Sequence, residues 1–396
     1  MLFSLAIILL CAIILSGIAQ KLKLPGLLGM LLTGIIMGPY ALDLIAPEIL
    51  NISADLRSMA LIVILTRAGL ALNIEDLKKV GRPAVLMCFI PATVEIAATT
   101  IFAPMFFPIT YLEAAIMGTV LGAVSPAVIV PKMLKLMENG YGRAQSIPQL
   151  IMAGASVDDI YVIVLFTSFM GMGSGDSFDA VSLIQIPVAI VAGLLAGILA
   201  GLILMVMFKR IHMRDTVKIL IILSAALLLV TLESVLKEYF PLSGLLAVMA
   251  LGGTILKRSD RLAKRLSVKF SKIWVGAEIL LFVLVGATVD ISYGADAGGY
   301  ALLLILIALL CRLGGVFLCL IKTRLNIKER LFCAIAYLPK ATVQAAIGGL
   351  PLAAGIAAGK TILTVAVVAI LITAPLGAVG IDATYKRYLA KCKAEH

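Results

Sequence analysis

The chain has 396 residues, 62% of them hydrophobic and 14% charged, with a mean hydropathy of +1.13 and a formal net charge of +11. Soluble domains carry about 45–50% apolar and about 25% charged residues, so the apolar excess must face lipid. No polar segment is long enough to fold as an appended nucleotide-binding or regulatory domain. The surplus of 33 Lys and Arg over 22 Asp and Glu lacks the interleaved aromatics of a nucleic-acid surface, and reads first as a topology signal.

A spanning helix needs about 20 apolar residues. In chain order, the predicted helices are 2–20, 25–43, 57–74, 83–107, 112–136, 146–170, 181–208, 216–234, 242–257, 270–290, 299–322, 329–350 and 360–381. The first has neither a basic leader nor a small-residue cleavage site, so it is expected to be retained as a helix. The fold class expected is an all-α polytopic membrane protein of 13 transmembrane helices. Of the Lys and Arg residues, 27 fall in connections after odd-numbered helices or in the basic tail 383–396, and three (Arg57, Lys237, Lys360) after even-numbered ones. Under the positive-inside rule the N-terminus is outside and the C-terminus cytoplasmic. The basic stretch 257–272 is read as a topology determinant touching anionic lipid headgroups. The six cysteines have neither zinc-ligand nor paired spacing and are read as reduced thiols. Gly193, Gly197 and Gly201 form a small-residue stripe suited to close helix packing.

The three remaining basic residues, Arg67, Arg312 and Lys340, sit inside spans. Charges at the bilayer centre are costly and mark function by default. Glu95 is the midpoint of the fourth helix, Asp158 that of the sixth with Asp159 beside it, Arg312 is near the centre of the eleventh, and Lys340 is central in the twelfth. Glu95 with Arg312 is equally readable as a buried packing pair. The adjacent aspartates are not, because neighbours on a helix point about 100° apart and one partner cannot neutralise both.

Two of these helices read as broken. The fifth carries Gly122-Ala123-Val124-Ser125-Pro126 at its middle, and the twelfth Pro339-Lys340-Ala341-Thr342. Proline removes a backbone donor and blocks the carbonyl one turn back. Unpaired backbone at that depth survives only when buried in protein or lining a wet cavity. The half-helix ends are expected to offer carbonyls to a cation, with Lys340 and a nearby carboxylate as countercharges. The pattern recurs seven helices on: the two broken helices match, as do Glu95 with Arg312 and Arg67 with Glu278. That predicts two inverted repeats, about 1–170 and 216–382, joined by a linker helix 181–208, an organisation typical of secondary transporters.

The segments LTRAGLAL (65–72), LGAVSPAVIVP (121–131), GASVDDIYVIVLF (154–166), LFVLVGATVDI (281–291) and LPKATVQAAIG (338–348) resemble the cation:proton antiporter superfamily, specifically the NHA-type sodium/proton exchangers. The resemblance covers nearly the whole chain. It implies a homodimer in the plasma membrane, with a dimerisation domain and a mobile core that carries the ion site between faces like an elevator. It implies Asp159 as the main ligand of cation and proton, Asp158 as its partner, and Na+ or Li+ with H+ as cargo. Val124, Ser125 and Pro126, with Lys340 and Thr342, match the unwound crossing segments. Arg312 matches a basic position that other members fill with lysine, and Glu95 and Lys340 match charged positions of the NHA branch. Sodium tolerance and pH homeostasis are the roles implied.

The chemistry of the residues agrees. A desolvated carboxylate holds its proton more tightly than one in water, and sodium is a hard cation that favours carboxylate, carbonyl and water oxygens. A group that holds either ion but not both is sufficient for exchange. No ATP site is expected, since the segment from Ala354 to Gly359-Lys360-Thr361 lacks the first glycine of a phosphate loop, and no cofactor or enzymatic activity is read. The alternatives are an organic-anion/sodium symporter of related fold, which would want fewer midplane aspartates, and a potassium/proton antiporter.

Overall fold

The computed structural model describes residues 1–71, 81–173, 180–236, 240, 242–289 and 291–391. Each of the thirteen expected stretches contains helix among the described residues, four of them shortened or interrupted. Residues 72–74 of the third, together with Lys78, Lys79, Lys237, Cys392, Lys393 and His396, lie outside the described residues. The helices are α1 Leu2–Lys21, α2 Gly26–Met37, α3 Pro47–Asn51, α4 Ser53–Ala71, α5 Arg82–Met87, α6 Ile90–Phe106, α7 Tyr111–Gly122, α8 Pro126–Glu138, α9 Ile147–Gly173, α10 Ala180–Arg210, α11 Asp215–Leu236, α12 Gly244–Arg258, α13 Asp260–Ala287, α14 Ile291–Cys319, α15 Ile327–Ala336, α16 Thr342–Ile347, α17 Leu350–Ala353 and α18 Gly359–Tyr388. Among the described residues, nine helical segments are long and apolar enough to cross a membrane. Large apolar side chains point away from the packed interior, with Leu228 69% and Leu310 67% exposed. That is the surface of a protein whose solvent is lipid.

Boundaries move where local chemistry outweighs hydropathy. The second stretch, expected to reach 43, ends at Met37, because Gly38 is extended and Asp43 takes a positive φ of 48°. The fourth is not continuous. It divides between Met87 and Ile90, since Pro91 cannot donate to the carbonyl of Met87 and its ring clashes there. The tenth begins at Asp260 rather than 270, so most of the basic stretch 257–272 is itself helical. Arg261, Arg265 and Lys272 stay exposed on it while Leu262, Leu266, Phe270 and Trp274 are buried.

The two broken helices start alike. Thr110 and Glu113 close a capping box on α7, with the Glu113 N–H donating to Thr110 Oγ1 at 3.2 Å and the Thr110 N–H to Glu113 Oε2 at 2.8 Å. Asn326 and Glu329 close the same box on α15, at 2.9 and 2.8 Å. Such boxes satisfy otherwise unpaired donors of the first turn.

The chain forms two compact units. The first comprises Met1–Ser53, Asn73–Val162 and Phe282–His396, the second Ala54–Leu72 and Ile163–Leu281. In the first, α6 packs against both α14 and α7, and α18 lies along α14 and α15. In the second, α10 packs closely on α12. The expected glycine stripe makes this contact: a Cβ on Gly193, Gly197 or Gly201 would strike the backbone or side chains of Ser243, Ala247 and Thr254. The five described cysteines are free thiols.

Candidate functional site

Both breaks form where the sequence places them, and they meet. Helix α7 stops at Gly122, Ala123 and Ser125 are extended (ψ 147° and 107°), and Pro126 opens α8 at a position where its missing N–H is harmless. In the second, α15 stops at Ala336 and α16 starts at Thr342. The Ser125 N–H donates to the Pro339 carbonyl at 2.8 Å, and Ser125 Oγ lies 3.5 Å from Thr342 Oγ1. The Lys340 N–H donates to Thr373 Oγ1 on α18 at 3.0 Å. One backbone bond thus spans the crossing, and a side chain of α18 satisfies the next donor.

A helix C-terminus presents unpaired carbonyls and partial negative charge. Three carbonyls at the end of α7 are all taken by side chains. Lys340 Nζ donates to that of Leu121 and Arg312 Nη1 to that of Gly122. Gln344 Nε2 donates to that of Ala123 at 2.8 Å and reaches that of Leu121 at 3.4 Å. Carbonyls expected to be open to a cation are therefore occupied, because the long basic side chains that balance the helix dipole also reach the oxygens that carry it.

The charges form a chain. Arg312, fully buried, bonds Glu95 Oε2 through Nη1 at 2.7 Å and Asp158 Oδ2 through Nη2 at 2.9 Å. Its Nε donates to the Tyr337 carbonyl at 3.0 Å, and its guanidinium lies 5.6 Å from the Tyr337 ring centre. Lys340 Nζ pairs with Glu95 Oε1 at 2.6 Å. The Val124 N–H adds a 2.9 Å bond to Asp158 Oδ2. Only arginine's planar fork of five donors serves two carboxylates and two carbonyls at once. Asp158, Arg312, Glu95 and Lys340 are two acids and two bases, so the chain as a whole is neutral. Asp159 stands outside this balance. Its Oδ1 is buried with no hydrogen-bond partner, as is Asp158 Oδ1.

Of the residues singled out in the sequence, Glu95, Val124, Ser125, Pro126, Asp158, Asp159, Arg312, Lys340 and Thr342 are gathered in the first unit. The expected pair of Glu95 and Arg312 is present, but it is two links of a longer chain that also includes Asp158 and Lys340. Arg67 and Glu278 belong to the second unit, within electrostatic reach of each other. Sequence reasoning missed Gln344, Tyr337 and Thr373. Gln344 carried a signal, a lone amide in an apolar run one helical turn after Lys340. Tyr337 and Thr373 carried none, since what enrols them is a main-chain carbonyl and a contact with α18.

Comparison with known proteins bears on the whole chain. The family described as "Sodium/hydrogen exchanger, transmembrane" matches residues 5–386. The chain is 34% identical over 384 residues to sodium/hydrogen exchanger 9B2 of Mus musculus, covering 94% of this chain and 70% of that protein. It is 33% identical over 395 residues to sodium/hydrogen exchanger 9B1 of Homo sapiens, covering 95% and 76%. Its fold is similar to that of the sodium proton antiporter MjNhaP1 from Methanocaldococcus jannaschii at pH 8, with a TM-score of 0.81, 23% identity, and 95% and 98% of the two chains covered. On the strength of a match along nearly its full length, this chain belongs to the transmembrane sodium/hydrogen exchanger family.

Proposed function

We infer that the protein is a secondary antiporter that exchanges Na+ for H+ across a membrane, with Asp159 as the group that carries either ion. The observation that carries this reading is the charge balance. Four of the five charges at the crossing pair off, leaving Asp159, half-buried, as the uncompensated carboxylate with one buried, unpartnered oxygen. A lone desolvated carboxylate needs a proton or a cation, and it alternates between them when both faces are accessible in turn. Asp158 keeps one oxygen fixed by Arg312 and Val124 and turns the other toward no donor, so it is the nearest second ligand for sodium.

The family relationship supports sodium and protons as the cargo. Every residue of the proposed site lies in the first unit, so a rigid movement of that unit carries the site intact; this favours an elevator-like mode of alternating access. The matched capping boxes, offset by 216 residues (Thr110 and Asn326, Glu113 and Glu329), and the break that follows each of them favour two inverted repeats. Thirteen spans, an outside N-terminus, a cytoplasmic C-terminus, a homodimer and a plasma-membrane location complete the proposal. No chemical reaction or cofactor is assigned. The test is sodium-induced pH change in proteoliposomes, with and without an imposed membrane potential. Exchange driven by sodium is expected, and a protein that moves no protons when given a sodium or lithium gradient defeats the reading.

A further inference from the structure

We propose that Tyr161 is a positioning residue that sets the direction in which Asp159 faces, and through it the affinity of the site for sodium; this rests on the antiporter reading. Tyr161 lies two residues beyond Asp159 on α9, and its side chain is bound to a different helix. Its Oη is 2.8 Å from Thr93 Oγ1 on α6. Thr93 Oγ1 in turn donates to the Phe89 carbonyl at 2.8 Å. A threonine hydroxyl has one hydrogen, so Tyr161 is the donor and Thr93 the acceptor in the bond between them. The Tyr161 ring also meets the Phe89 ring edge-on, with centroids 5.2 Å apart and planes at 89°. Phe89 lies in the division between α5 and α6. Tyr161 is thus held by both hydroxyl and ring where α6 begins.

Successive residues of a helix are about 100° apart around its axis, so Asp158 and Tyr161 project within about 60° of each other. They are two anchors on one side of α9, almost a turn apart. Arg312 and the Val124 N–H hold the first, and Thr93 holds the second. A single anchor made through a carboxylate side chain leaves a helix some freedom to roll, and a second one along the same side removes it. Asp159 points about 100° from Asp158 and about 160° from Tyr161, off the anchored side. Its Oδ1 has no hydrogen-bond partner, so its direction is set by the helix that carries it. Thr93 and Tyr161 lie near the middles of the spans Arg82–Phe106 and Ile147–Met172, where hydrocarbon offers a freed hydroxyl no other partner.

Without the second anchor, α9 divides its time between the native rotation and others that turn Asp159 away. Apparent affinity then falls by the fraction of molecules still competent to bind, while saturating sodium restores the competent state. The loss is limited by what the bond is worth, about fivefold in an equilibrium constant for a neutral hydrogen bond. The effect therefore belongs in KM rather than kcat.

The experiment is sodium-driven exchange by the purified full-length protein in proteoliposomes at one alkaline pH, where proton competition is small. KM and kcat for sodium are measured for wild type, Tyr161→Phe, Thr93→Val, their double variant and Thr93→Ser. Tyr161→Phe keeps the ring on Phe89 and leaves the bond from Thr93 to the Phe89 carbonyl intact. Its sodium KM should rise by up to about fivefold with kcat little changed, the limit set by one neutral hydrogen bond. Thr93→Val should show the same rise, the double variant no further rise, and Thr93→Ser, which keeps the hydroxyl, the wild-type KM. A folded Tyr161→Phe with wild-type KM overturns the proposal, as does a loss confined to kcat. So do single effects that multiply in the double variant, the behaviour of residues that do not interact. Should Tyr161→Phe not fold, Thr93→Val is read against Thr93→Ser in its place. Wild type without sodium-dependent exchange would instead refute the antiporter reading, and the proposal would fall with it.

Discussion

Neutrality of the four-charge chain can be tested by removing charges singly and in a balanced pair. Glu95 accepts from both Arg312 and Lys340, whereas Lys340 has Glu95 as its carboxylate partner. In Glu95→Gln the ammonium of Lys340, 1% exposed, keeps the Leu121 carbonyl and loses its counterion. Stranding a buried charge costs roughly 3–5 kcal/mol. Coulomb's law agrees, giving roughly 4 kcal/mol for unit charges about 4 Å apart at an effective dielectric of about 20. Lys340→Met should cost less, because Glu95 retains its 2.7 Å bond to Arg312. The double variant removes one charge of each sign and leaves Arg312 matched to Asp158. Its loss should therefore fall short of the summed single losses by about 2–3 kcal/mol, the size of coupling seen between contacting residues. The assay is unfolding free energy in mixed micelles for wild type, both singles and the double. Turnover of the folded fraction should fall less than stability in Glu95→Gln. Single losses that add to within about 0.5 kcal/mol, the behaviour of independent sites, would refute the idea of one balanced chain.

Three further outcomes are expected. Asp159→Asn should fold and melt normally but abolish exchange, since its Oδ1 makes no hydrogen bond to lose; dissipation of a pH gradient at the wild-type rate by the purified variant would remove Asp159 from the mechanism. In the wild type, sodium KM should rise about tenfold for each pH unit below the carboxylate's own pKa, because proton occupancy scales that way for each competing proton; a sodium affinity flat from acid to alkaline pH would mean separate sites for the two ions. Gly154→Ala should destabilise by about 1–3 kcal/mol through overpacking, because its Cβ would strike Tyr337 Oη. Tyr337→Phe deletes a buried hydroxyl without a hydrogen-bond partner, so it should cost little alone and restore much of the Gly154→Ala loss; melting of the two singles and the double decides.

Hydropathy and span length were sufficient to find each described helix long and apolar enough to cross a membrane, because lipid forces the backbone to satisfy itself within each segment, but not the short helices α3 and α17. Proline chemistry was sufficient to find both breaks at Ser125-Pro126 and Pro339-Lys340, since that effect acts within one turn. Its grip was weaker at Pro91, where an apolar run masked the division of the fourth stretch, and at Asp260, where a charged start hid a helix that outlasts its apolar part. That Glu95, Asp158, Asp159, Arg312 and Lys340 matter was also legible, from position within each run alone, and the fold brings four of them into contact.

Pairing was a different matter, because it depends on distances between residues far apart in sequence. Glu95 and Arg312 are 217 positions apart and Arg312 and Asp158 are 154, and residue type gives each cation several acceptors to choose from. Only the fold decides that Arg312 serves both carboxylates, that Lys340 closes on Glu95, and that the carbonyls at the end of α7 are occupied. Only the fold shows Gln344 and Asp158 holding opposite ends of one peptide. The sequence determined that five charges lie near the middles of their apolar runs. The tertiary structure decided that four of them cancel and that Asp159 does not, because cancellation at low dielectric is settled by contact distances of a few ångströms.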